Sequence, residues 1–216
     1  MIIGGLQPCS FSDYPGRTSV VIFTQGCNFR CPYCHNGSLL DREQPGRSSE
    51  ENVFAFLHNR KRHLGGVVVS GGEPTIQNDL TRFLRRVKKL GFPVKLDTNG
   101  SRPSVVEHLL TDRLIDYIAM DVKAPLGKYN KICGTTVKTD CILKSIGLIA
   151  TSNISHHFRT TKITSMLNLK DLDAILQLVP PGSQHIFQSF VKETTLQGVS
   201  LRDEYTRDES KIKTDR

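Results

Sequence analysis

Long apolar runs are missing from this sequence of 216 residues. A helix needs about 20 consecutive apolar residues to cross a bilayer, and no such stretch occurs, so we expect no membrane span. The first twenty residues also lack the charged start and apolar run of a secretion signal. We therefore expect a cytoplasmic protein, in which clustered cysteines more often bind metal or take part in catalysis than form disulfides.

A fourth cysteine is missing beside the group Cys27, Cys31 and Cys34, and the next cysteine in the chain is the distant Cys133. A [4Fe–4S] cluster is ordinarily held by four thiolates, so the spacing C-x3-C-x2-C would leave one iron without a protein ligand. An open metal position separates catalytic sites from closed, structural ones. The first hypothesis is therefore a [4Fe–4S] cluster whose fourth iron binds another molecule.

Zinc is the alternative for this loop, since the three cysteines and the adjacent His35 form a possible Cys3His ligand set. Zinc modules usually draw their ligands from two separated pairs, which favours iron–sulfur without excluding zinc. The remaining cysteines are too scattered to hold a second cluster, and we interpret them as ordinary thiols. They are Cys9, Cys133 and Cys141.

The net charge of +8 is compatible with an acidic partner or with nucleic acid. Much of the excess lies in two predicted helical segments, around Arg60–Arg62 and Arg82–Lys89. These segments lack the series of interleaved aromatic side chains that single-stranded nucleic acid requires. We interpret them as solvated helix faces and expect no nucleic-acid partner.

Apolar, β-branched runs alternate with helix-like segments along the chain. The predicted strands are Val20–Thr24, Gly66–Ser70, Val94–Asp97, Tyr117–Val122, His157–Thr161 and Ile186–Val191. The predicted helices are Ser49–His63, Asp79–Leu90, Ser104–Leu110, Cys141–Ala150 and Leu169–Val179. Such alternation implies a parallel sheet covered by helices. A closed eight-unit barrel needs about 250 residues, so we predict an α/β fold, a partial (βα)6 open-sided TIM-like barrel with parallel strands.

We expect one domain over residues 1–201 and a separate tail over residues 202–216. The tail contains five basic and five acidic residues and almost no apolar ones. Such a segment buries too little surface to fold, so we expect it to be disordered.

Polar, glycine-rich sequence follows four successive predicted strands. The cysteine loop follows the first, Gly71–Glu73 the second and Asp97–Gly100 the third, while Asp121 and Lys123 close the fourth. Arg159 lies in the fifth strand. Ligands of α/β folds bind beyond the carboxyl ends of the strands, so we expect these residues to converge on one site.

Two of these motifs together resemble the radical S-adenosylmethionine (SAM) superfamily. They are C-x3-C-x-aromatic-C at Cys27, Cys31, Tyr33 and Cys34, and the segment GGE at Gly71–Glu73. The stretch FTQGCNFRCPYCHN resembles the activating enzymes of glycyl-radical proteins. The segments SGGEPT, LDTNG and MDVKAP are most similar to the activating protein of anaerobic ribonucleoside-triphosphate reductase.

The resemblance implies roles for particular residues. The three cysteines would hold one [4Fe–4S] cluster, whose unligated iron would take the amino and carboxylate groups of the methionine part of SAM. The backbone at Gly71–Gly72 and the carboxylate of Glu73 would hold the methionine ammonium. Tyr33 and His35 would lie near the adenine, and Arg159 would add a charge contact. The residues implied on the ribose and carboxylate side are Thr98, Asn99, Asp121 and Lys123. From the residues alone, a common glycine turn at Gly71–Gly72 and a surface ion pair between Asp121 and Lys123 remain alternative explanations.

The resemblance also implies a reaction. The reduced cluster would give one electron to the sulfonium, and the S–C5′ bond would break into methionine and a 5′-deoxyadenosyl radical. That radical would remove a hydrogen atom from a glycine Cα of a partner protein. The electron would come from a one-electron donor such as flavodoxin or ferredoxin. The alternatives are a radical SAM enzyme acting on a small molecule, a formate-lyase activase and a non-enzymatic zinc-binding protein.

Two departures from the activase pattern bear on the partner. Many activases have D-G-P-G near the start, where this chain has Asp13-Tyr14-Pro15-Gly16. Formate-lyase activases carry a histidine near the end of the last strand, and Phe187–Val191 contains none. The sequence therefore favours anaerobic ribonucleotide reductase over formate lyase as the partner.

Overall fold

A seven-stranded sheet forms the body of the protein in the computed structural model, which describes residues 1–190. The strands follow one another in the sheet in chain order. They are β1 (Ile3–Tyr14), β2 (Arg17–Thr24), β3 (Gly66–Gly71), β4 (Val94–Thr98), β5 (Tyr117–Asp121), β6 (Ser155–Lys162) and β7 (Gln184–Ser189). Only β1 pairs antiparallel, with β2, and every later pair is parallel. Within residues 1–190 the sheet does not close, because β1 and β7 do not pair.

Helices connect the parallel strands. They are α1 (Glu50–Arg60), α2 (Leu80–Lys89), α3 (Pro103–Thr111), α4 (Tyr129–Cys133), α5 (Thr139–Ala150) and α6 (Leu169–Leu176). Local sequence fixes several of their starts. Ser49 caps α1 by accepting a hydrogen bond from Asn52 N, and Asn168 forms a reciprocal capping box with Asp171. None of the helices in residues 1–190 combines the length and apolarity needed to cross a bilayer.

The predicted α/β fold with an open, parallel barrel is confirmed, with six parallel strands close to their predicted positions. Two elements were missed. Strand β1 lies at a sheet edge with three register shifts and many exposed residues, so it lacks a clear alternation. Helix α4 has only five residues, which is too short for a helical period to show. Val191 and the tail at residues 202–216 lie outside the described residues.

The sheet is buried on both faces around its middle strands. Val67 and Val69 of β3 belong to the large core under the helices, whereas Val68 points into the barrel with Val21 and Tyr14. These inner side chains fill the lower end of the barrel. The open space of the barrel therefore lies at the carboxyl ends of the strands.

The basic residues of α2 form a solvent-facing surface, as predicted, with Arg82, Arg85 and Lys89 exposed. Several of them also pair with acidic residues of neighbouring elements. Arg82 and Arg86 both contact the carboxylate of Glu50, the latter at 2.8 Å, and Lys88 lies 2.7 Å from Asp116. These surface pairs link α2 to α1 and to the start of β5.

His157 of β6 is a buried histidine inside the barrel. Its Nδ1 lies 2.9 Å from the hydroxyl oxygen of Tyr117, and its side chain is 7% exposed. Burial, reinforced by the nearby charges of Lys95 and Arg159, lowers the pKa of His157 to about 4. The folded protein therefore keeps this imidazole neutral where an unfolded chain would protonate it.

This shift predicts a loss of stability on acidification. The unfolded state binds the proton first, so the free energy of unfolding falls as the pH drops below the ordinary histidine pKa. The loss that depends on His157 should be about 2 kcal/mol between about pH 7.5 and about pH 5. Denaturant unfolding of the wild type and of His157→Gln at both pH values measures it. An equal acid loss in the two proteins would contradict the assignment.

Candidate active site

The cysteine loop leaves the end of β2 and returns against it. Gly26 N donates to Leu39 O at 2.7 Å and Cys27 N to Leu40 O at 3.2 Å. The buried side chain of Gln25 donates across the base of the loop, to the carbonyl oxygens of residues 38 and 41 at 3.0 and 2.7 Å. These hydrogen bonds tie the two ends of the loop to each other.

The three predicted cluster ligands line one cavity of about 310 Å³ at the carboxyl ends of the strands. Cys31 is buried, and Cys27 and Cys34 are partly buried. None of the six cysteines is in a disulfide. The amide of Phe29 donates to Cys27 Sγ at 3.4 Å. Burial raises the pKa of Cys27 to about 12 and also raises that of Cys34, whereas contact with the Cys133 thiol lowers the pKa of Cys31 to about 7.

This donor set fits a cubane cluster. Each thiolate of a [4Fe–4S] cluster binds a different iron, so the ligands surround a space rather than converge on one point. In residues 1–190, no three histidine, cysteine or acidic side chains are grouped closely enough to hold a single metal ion. Three thiols around a cavity, with a backbone amide already directed at one sulfur, match a cluster with three protein ligands.

Gly71 is the last residue of β3 and Gly72 follows it, and the two pack on the end of β2 and the start of the cysteine loop. Gly71 has a φ of +109°, and a Cβ there would lie 2.4 Å from Thr24 N. A Cβ on Gly72 would lie 2.1 Å from Gly26 O. The family resemblance gives these glycines a role in holding the methionine ammonium of SAM. The structure adds a second reason, because only residues without Cβ let the two strand ends lie this close.

The carboxylate of Glu73 is fully buried, with 1% of the side chain exposed, and accepts four hydrogen bonds. The donors are the amide and hydroxyl of Thr75, the hydroxyl of Thr98 at 2.7 Å and the amide of Asn99 at 2.7 Å. Burial raises the pKa of Glu73, although these hydrogen bonds oppose the rise. Glu73 N also donates to Gly26 O at 2.9 Å. One residue thus joins the ends of β2, β3 and β4.

A chain of alternating charges crosses the cavity floor. Lys95 binds Asp97, whose Oδ2 lies 3.3 Å from Arg159 Nη1. Arg159 Nε lies 2.5 Å from Asp121 Oδ1, and Asp121 Oδ2 lies 3.0 Å from Lys123 Nζ. Burial alone would raise the pKa of Asp121, but the charges of Arg159 and Lys123 outweigh it and hold that pKa below its usual range. The chain has three cations and two carboxylates, so it carries one uncompensated positive charge.

The aromatic residues of the loop and the end of β4 complete the cavity. Tyr33 is buried, and burial raises its pKa. His35 is exposed, with its ring centroid 5.3 Å from that of Phe190. Asn99 Nδ2 donates to Asn28 Oδ1 at 3.0 Å, so the β4 end and the cysteine loop are joined.

All thirteen predicted site residues line the same cavity. They are Cys27, Cys31, Tyr33, Cys34, His35, Gly71, Gly72, Glu73, Thr98, Asn99, Asp121, Lys123 and Arg159. Asp97, which was expected to converge on this site without an assigned role, also lines the cavity. Sequence reasoning missed further lining residues, namely Asp13, Phe23, Phe29, Asn36, Leu40, Ser70, Thr161 and Gln188. Strand alternation was a usable signal for Thr161, which shares a face of β6 with Arg159.

Sequence comparison gives two kinds of relative. A 38% identical protein of Methanocaldococcus jannaschii, provisionally named a glycyl-radical enzyme activating enzyme, matches over 88% of this chain and 80% of its own length. The pyruvate formate-lyase 1-activating enzyme of Escherichia coli is 33% identical over 56% of this chain. This match spans about half of that enzyme, 51% of its length.

Solved structures share the fold at low sequence identity. SuiB of Streptococcus suis bound to S-adenosylmethionine has a TM-score of 0.61 at 18% identity, covering 80% of this chain and 40% of SuiB. The enzyme anSMEcpe, bound to AdoMet and a peptide, has a TM-score of 0.63 at 16% identity, covering 81% of this chain and 51% of the other.

The sequence model of the Radical SAM superfamily matches residues 21–179, which include the cysteine loop and every other predicted site residue. This superfamily uses a [4Fe–4S] cluster and S-adenosylmethionine, so the match favours iron–sulfur over zinc. The chain belongs to the radical SAM superfamily and, within it, to the glycyl-radical enzyme activating family.

Proposed function

We propose that this enzyme uses SAM and a [4Fe–4S] cluster on Cys27, Cys31 and Cys34 to install a glycyl radical on anaerobic ribonucleoside-triphosphate reductase. The observation that carries the proposal is the cavity itself, on which the three thiols, the glycine turn and the charge chain converge. When bound, the cofactor pair supplies reductive cleavage of SAM and hydrogen-atom removal from glycine. The protein supplies binding, orientation and exclusion of side reactions.

The charge distribution supports a zwitterionic methionine group in the cavity. The one uncompensated positive charge near Lys123 and Arg159 matches a ligand carboxylate. The carboxylate of Glu73 already accepts four hydrogen bonds, which is close to its capacity. We therefore assign the ligand ammonium to backbone carbonyl groups of Gly71–Glu73 and assign Glu73 to the support of that segment.

This proposed orientation of the methionine group also assigns roles to the remaining predicted residues. With the methionine group between the glycine turn and the charge chain, we assign the adenine to the side of Tyr33 and His35. The ribose then falls on the side of Thr98, the last residue of β4, and Asn99, which follows it. The thiols, which line the same cavity, would hold the cluster against the methionine end.

The partner is proposed from sequence and from the shape of the barrel. SGGEPT, LDTNG and MDVKAP are most similar to the activating protein of the anaerobic reductase. Phe187–Val191, at the end of the last predicted strand, lacks the histidine that formate-lyase activases carry there. Since β1 and β7 do not pair, the described part of the barrel is open at one side, where a glycine-bearing loop has a way in. A donor such as flavodoxin or ferredoxin would supply the electron.

Removal of one proposed ligand tests the cluster site. We expect Cys31→Ala to lose the cluster on anaerobic reconstitution and to lower SAM cleavage to the background rate, because two thiolates cannot replace three. Iron and sulfide analysis, the visible spectrum and release of 5′-deoxyadenosine measure both effects. Cys141→Ala is the matched control and should behave as the wild type, since Cys141 does not line the cavity. A Cys31→Ala protein with a full cluster would refute the ligand assignment.

Removal of the terminal cation of the charge chain tests the SAM orientation. Lys123→Met keeps the length of the side chain but removes the surplus charge, so the Kd for SAM should rise about 10- to 100-fold. Calorimetry on the reconstituted enzyme measures it. Lys144→Met removes an exposed lysine that pairs with Glu107 at 3.7 Å, and it should leave the Kd unchanged. Equal affinities in the wild type and Lys123→Met would show that the ligand carboxylate lies elsewhere.

A radical assay tests the partner. The reconstituted enzyme is incubated anaerobically with SAM, a reductant and either anaerobic ribonucleotide reductase or pyruvate formate-lyase, and electron paramagnetic resonance is recorded. We expect a glycyl-radical doublet on the reductase, absent when Cys31→Ala replaces the wild type. A radical on pyruvate formate-lyase alone would identify that enzyme class as the partner. The absence of a radical on both proteins would argue against the proposed activity.

A further inference from the structure

The cysteine loop has an inner and an outer face. Phe29, Cys31 and Tyr33 are buried and line the cavity, whereas the alternate residues Asn28 and Arg30 are exposed and do not line it. Successive side chains of this segment therefore lie on opposite sides of its main chain. Only that main chain separates the protein surface at Asn28 and Arg30 from the cavity that holds the thiols.

The positive charge of Arg30 is held on the outer face by the loop itself. Its Nη1 donates to Cys27 O at 2.6 Å and to Phe29 O at 2.9 Å, and its backbone N donates to Cys133 O at 2.8 Å. A guanidinium has five N–H donors, so those on Nε and Nη2 remain available to a partner. The side chain thus presents a fixed cation directly beside a proposed cluster ligand.

The end of α4 adds a second cation next to Arg30. A Cβ at Gly134 would lie 2.2 Å from Arg30 O and 3.4 Å from Arg30 Cβ, so the helix end packs on the loop. Lys131 belongs to this helix and is exposed. Its charge therefore lies on the surface that borders Arg30.

A third cation follows the end of β4. Asn28 Nδ2 donates to Ser101 Oγ at 2.8 Å, and the exposed Arg102 comes next in the chain. We call Asn28, Arg30, Arg102 and Lys131 the outer loop face. Among residues 1–190, none of its three cations forms an ion pair with a carboxylate, in contrast to most basic residues of α2.

We propose that the outer loop face is the docking site of the one-electron donor, an acidic carrier protein such as flavodoxin, which reduces the cluster across the cysteine loop. This inference rests on the proposed cluster site. One electron passes from the reduced donor to the oxidised cluster, and no bond forms or breaks. Complementary charge steers such an encounter, and the effect weakens as the ionic strength rises.

The position of the outer loop face favours an electron donor over other macromolecules. A glycine-bearing loop has to enter the cavity, which the residues of this face do not line. An electron only has to cross the main chain of the loop. The face also includes no aromatic side chain on which the bases of single-stranded nucleic acid could stack. The electron donor and the radical partner would therefore use different surfaces.

The experiment compares the reconstituted wild type with Lys131→Glu and Lys89→Glu. Both variants reverse one exposed lysine and change the net charge equally, but Lys89 lies at the end of α2 that leads to the amino end of β4, away from the cavity. Calorimetry gives the Kd for flavodoxin, and stopped-flow absorbance follows reduction of the cluster by reduced flavodoxin. Both are measured at low and high salt, without SAM and without a glycyl-radical protein.

We expect Lys131→Glu to bind flavodoxin about 10-fold more weakly at low salt and to be reduced by it more slowly, with a smaller difference at high salt. Arg30→Gln should change both measurements in the same direction, and Lys89→Glu should behave as the wild type. Reduced methyl viologen, a small cation that needs no docking site, should reduce no variant more slowly than the wild type.

Equal flavodoxin affinities in the wild type, Lys131→Glu and Arg30→Gln would overturn the proposal. An equal loss in Lys131→Glu and Lys89→Glu would also overturn it, because net charge alone would then be responsible. So would weaker binding of the anaerobic reductase to Lys131→Glu with unchanged binding of flavodoxin. If the wild type held no cluster, the proposed cluster site would fail, but the flavodoxin affinities would still decide where the donor docks.

Discussion

The buried carboxylate of Glu73 is the constraint on which the site depends. Its oxygens accept from Thr75, Thr98 and Asn99, and its amide donates to Gly26. A buried carboxylate is costly unless it is fully hydrogen-bonded, so these contacts hold the ends of β2, β3 and β4 in one arrangement. The cysteine loop, the glycine turn and the β4 end are then fixed relative to one another. Glycines are required where these segments touch, because a Cβ at Gly72 would collide with Gly26.

The charge chain adds a second constraint from the other half of the barrel. Arg159 of β6 binds both Asp97 and Asp121, so it links three neighbouring strands beneath the cavity. Each charge of the chain contacts an opposite charge, but three cations face two carboxylates. One surplus positive charge is therefore available to the proposed ligand. Glu73 holds the backbone of the glycine turn in place on the opposite side. The proposed methionine zwitterion would therefore meet backbone carbonyl groups on one side of the cavity and positive charge on the other.

Much of this site was predictable from sequence. Parallel strands place their carboxyl ends together, so Gly71–Glu73, Thr98 and Lys123 had to meet once the alternation of strands and helices was recognised. Other features had no local signal. Lysine side chains are rarely buried, so the sequence gives no reason to place Lys95 inside the barrel. Its burial is explained by the ion pair that it forms with Asp97. Cys133 reaches the cluster loop through a helix too short to show a period, and the partners of Glu73 depend on tertiary packing.

Electron–nuclear double resonance on the reduced, reconstituted enzyme tests the central claim most directly. SAM labelled with 15N at the methionine amine and 17O at the carboxylate is added to the reconstituted enzyme. We expect couplings to both labels and a changed cluster spectrum, because the proposed open iron would bind the amine and carboxylate of SAM. An unchanged spectrum without label couplings would show that this iron is not available to SAM, and the account of the site would fail.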